Sequence, residues 1–360
     1  MNLKEKDFFL HKNQYAISNN KEGEVFKRSS SNIALIKYWG KKTNTLQIPL
    51  NSSISFSLEK VFTGTKLRYH VKTPPYKKNF SVKFFFFGKK KFIFWKKILV
   101  FFYRISSYCS YLRDYHFTIE TYNNFPHSSG IASSASFMSS LALCIMEMEK
   151  QLVPSLTHSF FLKKASFLAR LGSGSACRSV YPGLVVWGNH KSIIGSNNLY
   201  AIPYPYKIHS IFQNLIDTIL IIDETPKKIL STQGHQLMNT HPYAKERFKC
   251  ANKNMDCMIS ILEMGDFQEF GKLIEHEALT LHAMIMTSNP YFLWMKPNTV
   301  QIIHMVWDLR IQSKKNVYFT LDAGANIHLL YPMNERLFIG KWIKHDLMFY
   351  CKKIIESICF

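Results

Sequence analysis

Apolar side chains at Ile131, Ala135, Met138, Ala142, Ile145 and Met148 recur at helical spacing directly after a Gly/Ser-rich segment, which predicts a helix starting just past Gly130. A second helix is expected at about 158–171, followed by a small-residue loop, GSGSACRS, at 172–179. Residues 243–264, 266–286 and 299–314 read as three more helices, and the chain is expected to end in an amphipathic helix from about 335. Strand patterns lie between them. Ile33–Tyr38 and Ser53–Leu58 alternate weakly, 116–121 alternates through Phe117, Ile119 and Thr121, and Leu184–Trp187 and Thr218–Ile222 are short apolar runs. Residues 80–100 predict a hairpin around Gly88 with a lysine-rich turn, and Leu99–Leu112 a helix. Residues 316–331 read as strand, loop, strand.

No internal repeat of 20–50 residues is present, and strands and helices alternate irregularly. The pattern points to an α+β fold in two lobes meeting near residue 215, at 28–215 and 216–360, behind a polar, poorly ordered lead-in at 1–27. A length of 360 residues suits one large or two smaller domains, and a 47% hydrophobic content excludes a wholly disordered chain.

Charge changes the picture only briefly. Lys and Arg total 46 against 24 acids, a net +22, which would fit a nucleic-acid partner. Only nine of the basic residues are Arg, whereas bidentate phosphate and guanine contacts favour Arg. The excess of Phe, Lys and Asn over Gly fits the drift that AT-rich codons impose, which is the favoured reading of the charge, with a basic nucleic-acid-binding protein as the rival from another class. Seven Cys with no Cys-x-x-Cys suggest neither a zinc site nor a disulfide framework, and fit a reducing cytosol. The start has no apolar signal core, and the best membrane candidate, 84–103, is interrupted by five lysines. No membrane partner is expected.

Four segments carry chemistry. In NNFPHSSGIASSAS (123–136), small residues let the backbone approach a ligand and the following helix aims free N–H groups into the loop. Hydroxyls of Ser133 and Ser134 add donors, so the segment suits polyphosphate; no Gly-Lys-Ser/Thr follows, so it is not a Walker A loop. A Ser-rich helix cap is the alternative. In IALIKYWGK (33–41), Lys37 and Lys41 stand four apart around Tyr38, with Gly40 permitting a bend that could clamp an anion; an exposed strand end with solvated lysines is the plainer reading of this string alone. In GSGSACRSVYPG (172–183), tiny residues deliver one Arg, whose planar fork matches a carboxylate or phosphate; a flexible linker is the alternative, disfavoured by the apolar strand that follows. Cys177 there reads as a small buried residue, not a nucleophile. In TLDAGAN (320–326), Asp322 stands at a strand end beside a Gly turn, where a carboxylate can face a cleft; an Asx turn is the plainer reading.

Together these segments resemble the diphosphomevalonate decarboxylase family, a branch of the GHMP kinase superfamily, with further matches at IPLNSSIS (48–55), LSTQGHQL (230–237) and 273–290. The resemblance runs from about 28 to about 345 and is loose at 76–113. It implies a two-lobed GHMP-kinase-like fold with the site in the cleft, usually as a homodimer. It also implies ATP- and Mg²⁺-dependent conversion of 5-diphosphomevalonate to isopentenyl diphosphate, ADP, phosphate and CO₂. By family position Tyr38, Trp39, Gly40, Lys41, Ser173, Gly174, Ser175, Ala176, Cys177 and Arg178 line the diphosphomevalonate site. Ser231 and Thr232 meet the diphosphate, and Lys83 is the nearest counterpart of a family arginine. Asp322 corresponds to the essential acid, acting with Arg178 and Lys37. Asn124, Ser128, Ser129, Gly130, Ala132, Ser133 and Ser134 belong to the ATP-phosphate loop, and no protein side chain is assigned to the metal. Departures at Lys83, Leu230 and Ala325 are expected to weaken substrate contacts without removing a central group. A mevalonate-class kinase that does not decarboxylate is the rival within the superfamily; Arg178 and Asp322 together favour the decarboxylase.

Overall fold

Two long antiparallel strands, β1 (Glu22–Ile36) and β2 (Ser53–Val71), organise the computed structural model. It describes residues 3–11, 14–15, 21–43, 45–73, 79–125, 131–225 and 231–359. β1 lies along the whole of one side of β2. The other side is shared by β6 (Leu184–Trp187) against Ser53–Phe56 and β5 (Tyr115–Asn123) against Thr63–Val71. The register of the pair shifts between Ser30 and Ser31, so Ser30 faces Phe62 while Ser31 faces Leu58. That irregularity divides β2 into two halves serving different neighbours.

Beyond β5 lies parallel β3 (Ser81–Phe86), hairpinned through Phe87-Gly88 to β4 (Lys89–Lys90). In the other direction come β11 (Lys353–Cys359), β8 (Leu215–Ile221), β10 (Ile327–Tyr331) and β9 (Tyr318–Thr320). β7 (Ile202–Pro203) flanks β6, which makes eleven described strands in one sheet.

The helices are α1 (Phe92–Ile105), α2 (Ser133–Leu152), α3 (His158–Gly172), α4 (Ser231–Leu237), α5 (Ala244–Met264), α6 (Phe267–Met286), α7 (Pro297–Ser313) and α8 (Arg336–Trp342). One apolar cluster joins α1, α2, α3 and β5; a second lies under the first half of β2 with α5 and α6; a third joins α7 and α8 to β8–β10. A hydroxyl ladder pins α2 to β2. Thr63 Oγ1 meets Ser136 Oγ at 2.7 Å and Thr65 Oγ1 meets Ser140 Oγ at 2.6 Å. This fixes where the start of α2 emerges. Among the described residues no helix is long and apolar enough to cross a membrane.

Several expectations are corrected. The lead-in is shorter than 1–27, since β1 starts at Glu22 with its side paired to β2. Its described part is packed as well: Phe8 is fully buried and stacks on Phe167 with centroids 4.4 Å apart. An aromatic in a polar, charged stretch found a pocket that only the tertiary fold provides. α1 begins at Phe92, not Leu99, because the lysine-rich turn after Gly88 closes within two residues. The small-residue loop at 172–179 is a buried 3-10 turn, Gly174–Val180. α4 was not foreseen. The chain does not end in a helix either: after α8 and a further irregular turn it returns as β11. Short apolar Ile354-Ile355 leaves strand and helix indistinguishable by periodicity, and pairing with β8 decides it.

Candidate functional site

β1 stops at Ile36, and the five residues Lys37–Lys41 leave the sheet because their backbone is held by other elements. The Lys37 N–H donates to Glu277 Oε2 of α6 at 2.9 Å, and Asn51 Nδ2 donates to the Lys37 carbonyl at 3.0 Å. Glu277 is itself fixed by Arg247 Nη2 and Asn254 Nδ2 of α5, both at 2.6 Å. The bend needs Gly40, whose φ is +85° and where a Cβ would come within 2.7 Å of the Phe248 ring. Held this way, Lys37 Nζ donates to Ala34 O at 2.7 Å and to Asp322 Oδ1 at 2.8 Å.

Asp322 sits just past β9. Its carbonyl accepts from the Gly324 N–H at 2.7 Å and from His282 Nε2 at 3.1 Å. Thr299 Oγ1 donates to Ala325 O at 2.7 Å, and Asn326 Oδ1 accepts from the Ile222 and Asp223 N–H groups at 2.7 and 2.9 Å. The DAGAN loop is therefore tied on both sides.

The 3-10 turn Gly174–Val180 delivers Arg178, whose Nη1 donates to Ser53 Oγ at 2.6 Å while Nε and Nη2 reach Asn32 Oδ1 at 3.4 and 3.3 Å. A Cβ at Gly174 would come within 2.7 Å of the Tyr38 hydroxyl, so the run of tiny residues is what lets this turn press against the Lys37–Lys41 segment.

Electrostatics follow from burial. Lys37 is sealed, and burial lowers its pKa despite the Asp322 charge beside it. Burial would raise the Asp322 carboxyl, but the Lys37 ammonium overrides it and the net shift is downward. Asp322 is thus a carboxylate at neutral pH with a quarter of its side chain still open (25%). Burial, reinforced by Arg104, pushes Lys41 down to about 8. Burial also lowers the Arg178 guanidinium and pushes the Cys177 thiol up to about 12.

These groups surround a cavity of 320 Å³. Lys37, Tyr38, Trp39, Lys41, Ser173, Gly174, Ser175, Arg178, Ser231, Thr232, Asp322, Ala132, Ser133 and Ser134 all line it. Ser133 opens α2, so the first turn of that helix borders the cavity beside the Lys37–Asp322 pair. Gly40, Ala176 and Cys177 stand behind the wall, with Cys177 Sγ donating to Gly174 O at 3.0 Å. Ser128, Ser129 and Gly130 lie outside the described residues, as does Leu230.

Two residues are misplaced in the sequence reading. Lys83 is exposed, because alternation along β3 turns it away from Phe84 and Phe86, which do line the cavity. The cation on that wall is Lys97 of α1, three residues after Phe94, which lines the same side. Asn124 is exposed and serves the sheet: its Oδ1 accepts from Phe62 N at 2.8 Å and its Nδ2 donates to Lys60 O at 2.6 Å. Its neighbour Asn123 lines the cavity instead. Sequence reasoning also missed His235 and the apolar wall of Phe137 and Met138. Helical spacing from Phe94 would have found Lys97, and spacing from Ser231 would have found His235.

Comparison with known proteins covers most of the chain. Residues 29–199 match the diphosphomevalonate decarboxylase-like N-terminal domain, and 218–356 match the mevalonate 5-diphosphate decarboxylase C-terminal domain. The diphosphomevalonate decarboxylase of Debaryomyces hansenii is 28% identical over 324 residues, covering 87% of this chain and 81% of that protein. The crystal structure of mevalonate diphosphate decarboxylase from Staphylococcus aureus has a TM-score of 0.75 at 29% identity, over 94% of this chain and 96% of that one. A third structure, MDDEF in complex with MVAPP, AMPPCP and magnesium, has a TM-score of 0.78 over 94% of this chain and 97% of that one; its 24% identity bears on the fold alone.

Proposed function

The chain belongs to the diphosphomevalonate decarboxylase family, and from that premise we propose that it converts 5-diphosphomevalonate and ATP to isopentenyl diphosphate, ADP, phosphate and CO₂. The observation that carries this reading is the convergence of Lys37, Asp322 and Arg178 on one cavity, with Lys37 Nζ 2.8 Å from the Asp322 carboxylate. The two lobes, 28–215 and 216–360, then each supply part of the site.

Asp322 accepts the hydrogen bond of the substrate's tertiary hydroxyl, orients its oxygen toward the γ-phosphate and takes its proton. A strongly basic group is not needed, since in a loose transition state the bond to the attacking oxygen is barely formed, little positive charge builds on that hydroxyl, and its proton leaves late. Lys37 keeps Asp322 ionised and offsets charge on the reacting groups. Once the hydroxyl carries phosphate it can leave, and the electron pair of the neighbouring C–carboxylate bond becomes the alkene as CO₂ departs. Arg178, locked by Ser53 and Asn32, holds that carboxylate in line with the breaking bond. Lys41, Lys97, Ser231 and Thr232 face the diphosphate end, and Ser133 and Ser134 with the start of α2 hold ATP phosphates.

No group of three or more His, Cys, Asp or Glu able to hold a metal occurs among the described residues. The Ser133 and Ser134 hydroxyls nonetheless fit Mg²⁺, a hard cation that keeps waters and binds chiefly through substrate phosphates. When bound it neutralises phosphate charge and orients the terminal phosphate.

The same reading makes the enzyme a homodimer, as the family resemblance implies, and cytoplasmic, the latter supported by seven free thiols that a reducing compartment preserves. Sedimentation equilibrium would then return twice the 42.0 kDa chain mass. The activity is tested by following ADP and CO₂ in one sample with ATP, Mg²⁺ and 5-diphosphomevalonate. Equimolar release is expected; ADP without CO₂ would make the protein a kinase.

A further inference from the structure

His235 has no role in the reading above, yet its setting is that of a binding group. It follows Ser231 and Thr232 by four and three residues, so the three share one face of α4, and all three line the cavity. The ring is wedged between Tyr38 and Trp39, 4.4 Å from the centroid of each, and is only 8% exposed. The Gly40 N–H donates to Nδ1 at 3.0 Å. A nitrogen that accepts from an amide carries no proton, so the neutral ring bears its proton on Nε2. Burial, with Lys41 nearby, holds the ring well below its ordinary pKa, so this neutral tautomer is the form present at pH 7.

No described residue accepts from Nε2. The donor is not among the sealed, unpartnered atoms of the core, so an acceptor can reach it from the cavity that His235 lines. The charged groups lining the cavity are Lys37, Lys41, Lys97 and Arg178 against the single carboxylate Asp322, already paired with Lys37, and this positive excess calls for an anionic oxygen.

We propose that His235 Nε2–H donates to a diphosphate oxygen of the substrate, beside Ser231 and Thr232, and so is a further substrate-binding residue of this enzyme. The inference rests on the proposed function. The substrate diphosphate is favoured over the ATP phosphates because α4 and the Lys37–Lys41 segment hold His235, whereas ATP phosphates face the start of α2.

Two isosteric variants separate a binding role from a structural one. His235→Asn places an amide oxygen where Nδ1 stood, keeping the Gly40 contact but losing the distal donor. His235→Gln does the reverse. With ADP and CO₂ followed together, His235→Asn is expected to raise the KM for 5-diphosphomevalonate by about ten- to a hundredfold, the worth of a hydrogen bond to a charged group. Its kcat, its KM for ATP and its Tm should stay near wild type. His235→Gln should recover most of the lost KM while lowering Tm. A wild-type KM in His235→Asn, a shift in the KM for ATP instead, or a greater KM loss in His235→Gln would overturn the inference alone. A folded wild type without turnover would overturn the proposed function and this inference with it.

Discussion

Asp322 and Lys41 are the two side chains whose environment most directly shapes reactivity. Asp322→Asn keeps the shape of the carboxylate but removes its charge and leaves Lys37 without a counter-ion. Turnover should fall by about 10³-fold or more, while ATP affinity measured by calorimetry stays near wild type; an active variant would exclude Asp322 as the base. Lys41 brings a pH signature. Its ammonium attracts the anionic substrate and is lost as pH rises through about 8, so kcat/KM for 5-diphosphomevalonate should decline above that value. Lys41→Met should lower the neutral plateau and flatten the alkaline limb. Stability runs the other way. The folded chain binds fewer protons at Lys41 than the unfolded chain between about 8 and the ordinary lysine range, so this group's contribution to stability rises with pH across that window. That Lys37, Arg178 and Asp322 line one cavity was signalled by the family resemblance of the four segments taken together, whereas each string alone left a plainer reading open, solvated lysines, a linker or an Asx turn. Glu277 and Arg247, which hold Lys37, were not legible: they lie inside an ordinary amphipathic pattern, and only the packing of α5 on α6 turns them toward β1.

At the scale of elements, a shift of a few residues decides which lysine matters. The sequence pattern placed a helix from Leu99 and left Lys97 in a hairpin; the hairpin closes at Lys90, the helix starts at Phe92, and Lys97 comes onto the face that Phe94 presents to the cavity. Strand parity does the opposite to Lys83, sending it to solvent. Periodicity reports the existence of such elements better than their starts, because a lysine-rich turn and a lysine-rich first helical turn have the same composition. The prediction is a contrast between two substitutions on neighbouring elements. Lys97→Ala should raise the KM for 5-diphosphomevalonate by about tenfold, as for loss of a charge-assisted contact, and Lys83→Ala should leave it within about twofold. Equal effects, or the reverse order, would show that β3 presents its other face to the substrate. The long helices α2, α5, α6 and α7 posed no such problem, since several turns of consistent spacing outweigh an error at either end.

Across the whole molecule, catalytic geometry depends on strands that are far apart in sequence. Lys37 follows β1 and Arg178 follows α3, whereas Asp322 follows β9 at the far end of the sheet. The 2.8 Å contact between Lys37 and Asp322 therefore requires both wings to keep register through the middle of the sheet. That middle is β11, which pairs with β8 along Lys353–Cys359 and touches β2 at Leu58, with Ser357 Oγ accepting from Lys60 N at 3.1 Å. That strands and helices mix irregularly could be read from the sequence, but not that the last strand would sit between the wings, because nothing local to the seven residues KIIESIC names their partner. Truncation after Cys351 would remove that strand and open the edge of β8, whose seven residues are all buried. The truncated chain should lose soluble yield and the single cooperative thermal transition of the full chain, and turnover should vanish even though Lys37, Arg178 and Asp322 all remain. If it instead melted as one unit at the full-length Tm with catalysis intact, α5 and α6 packing on β1, and not the sheet, would be what registers the two wings.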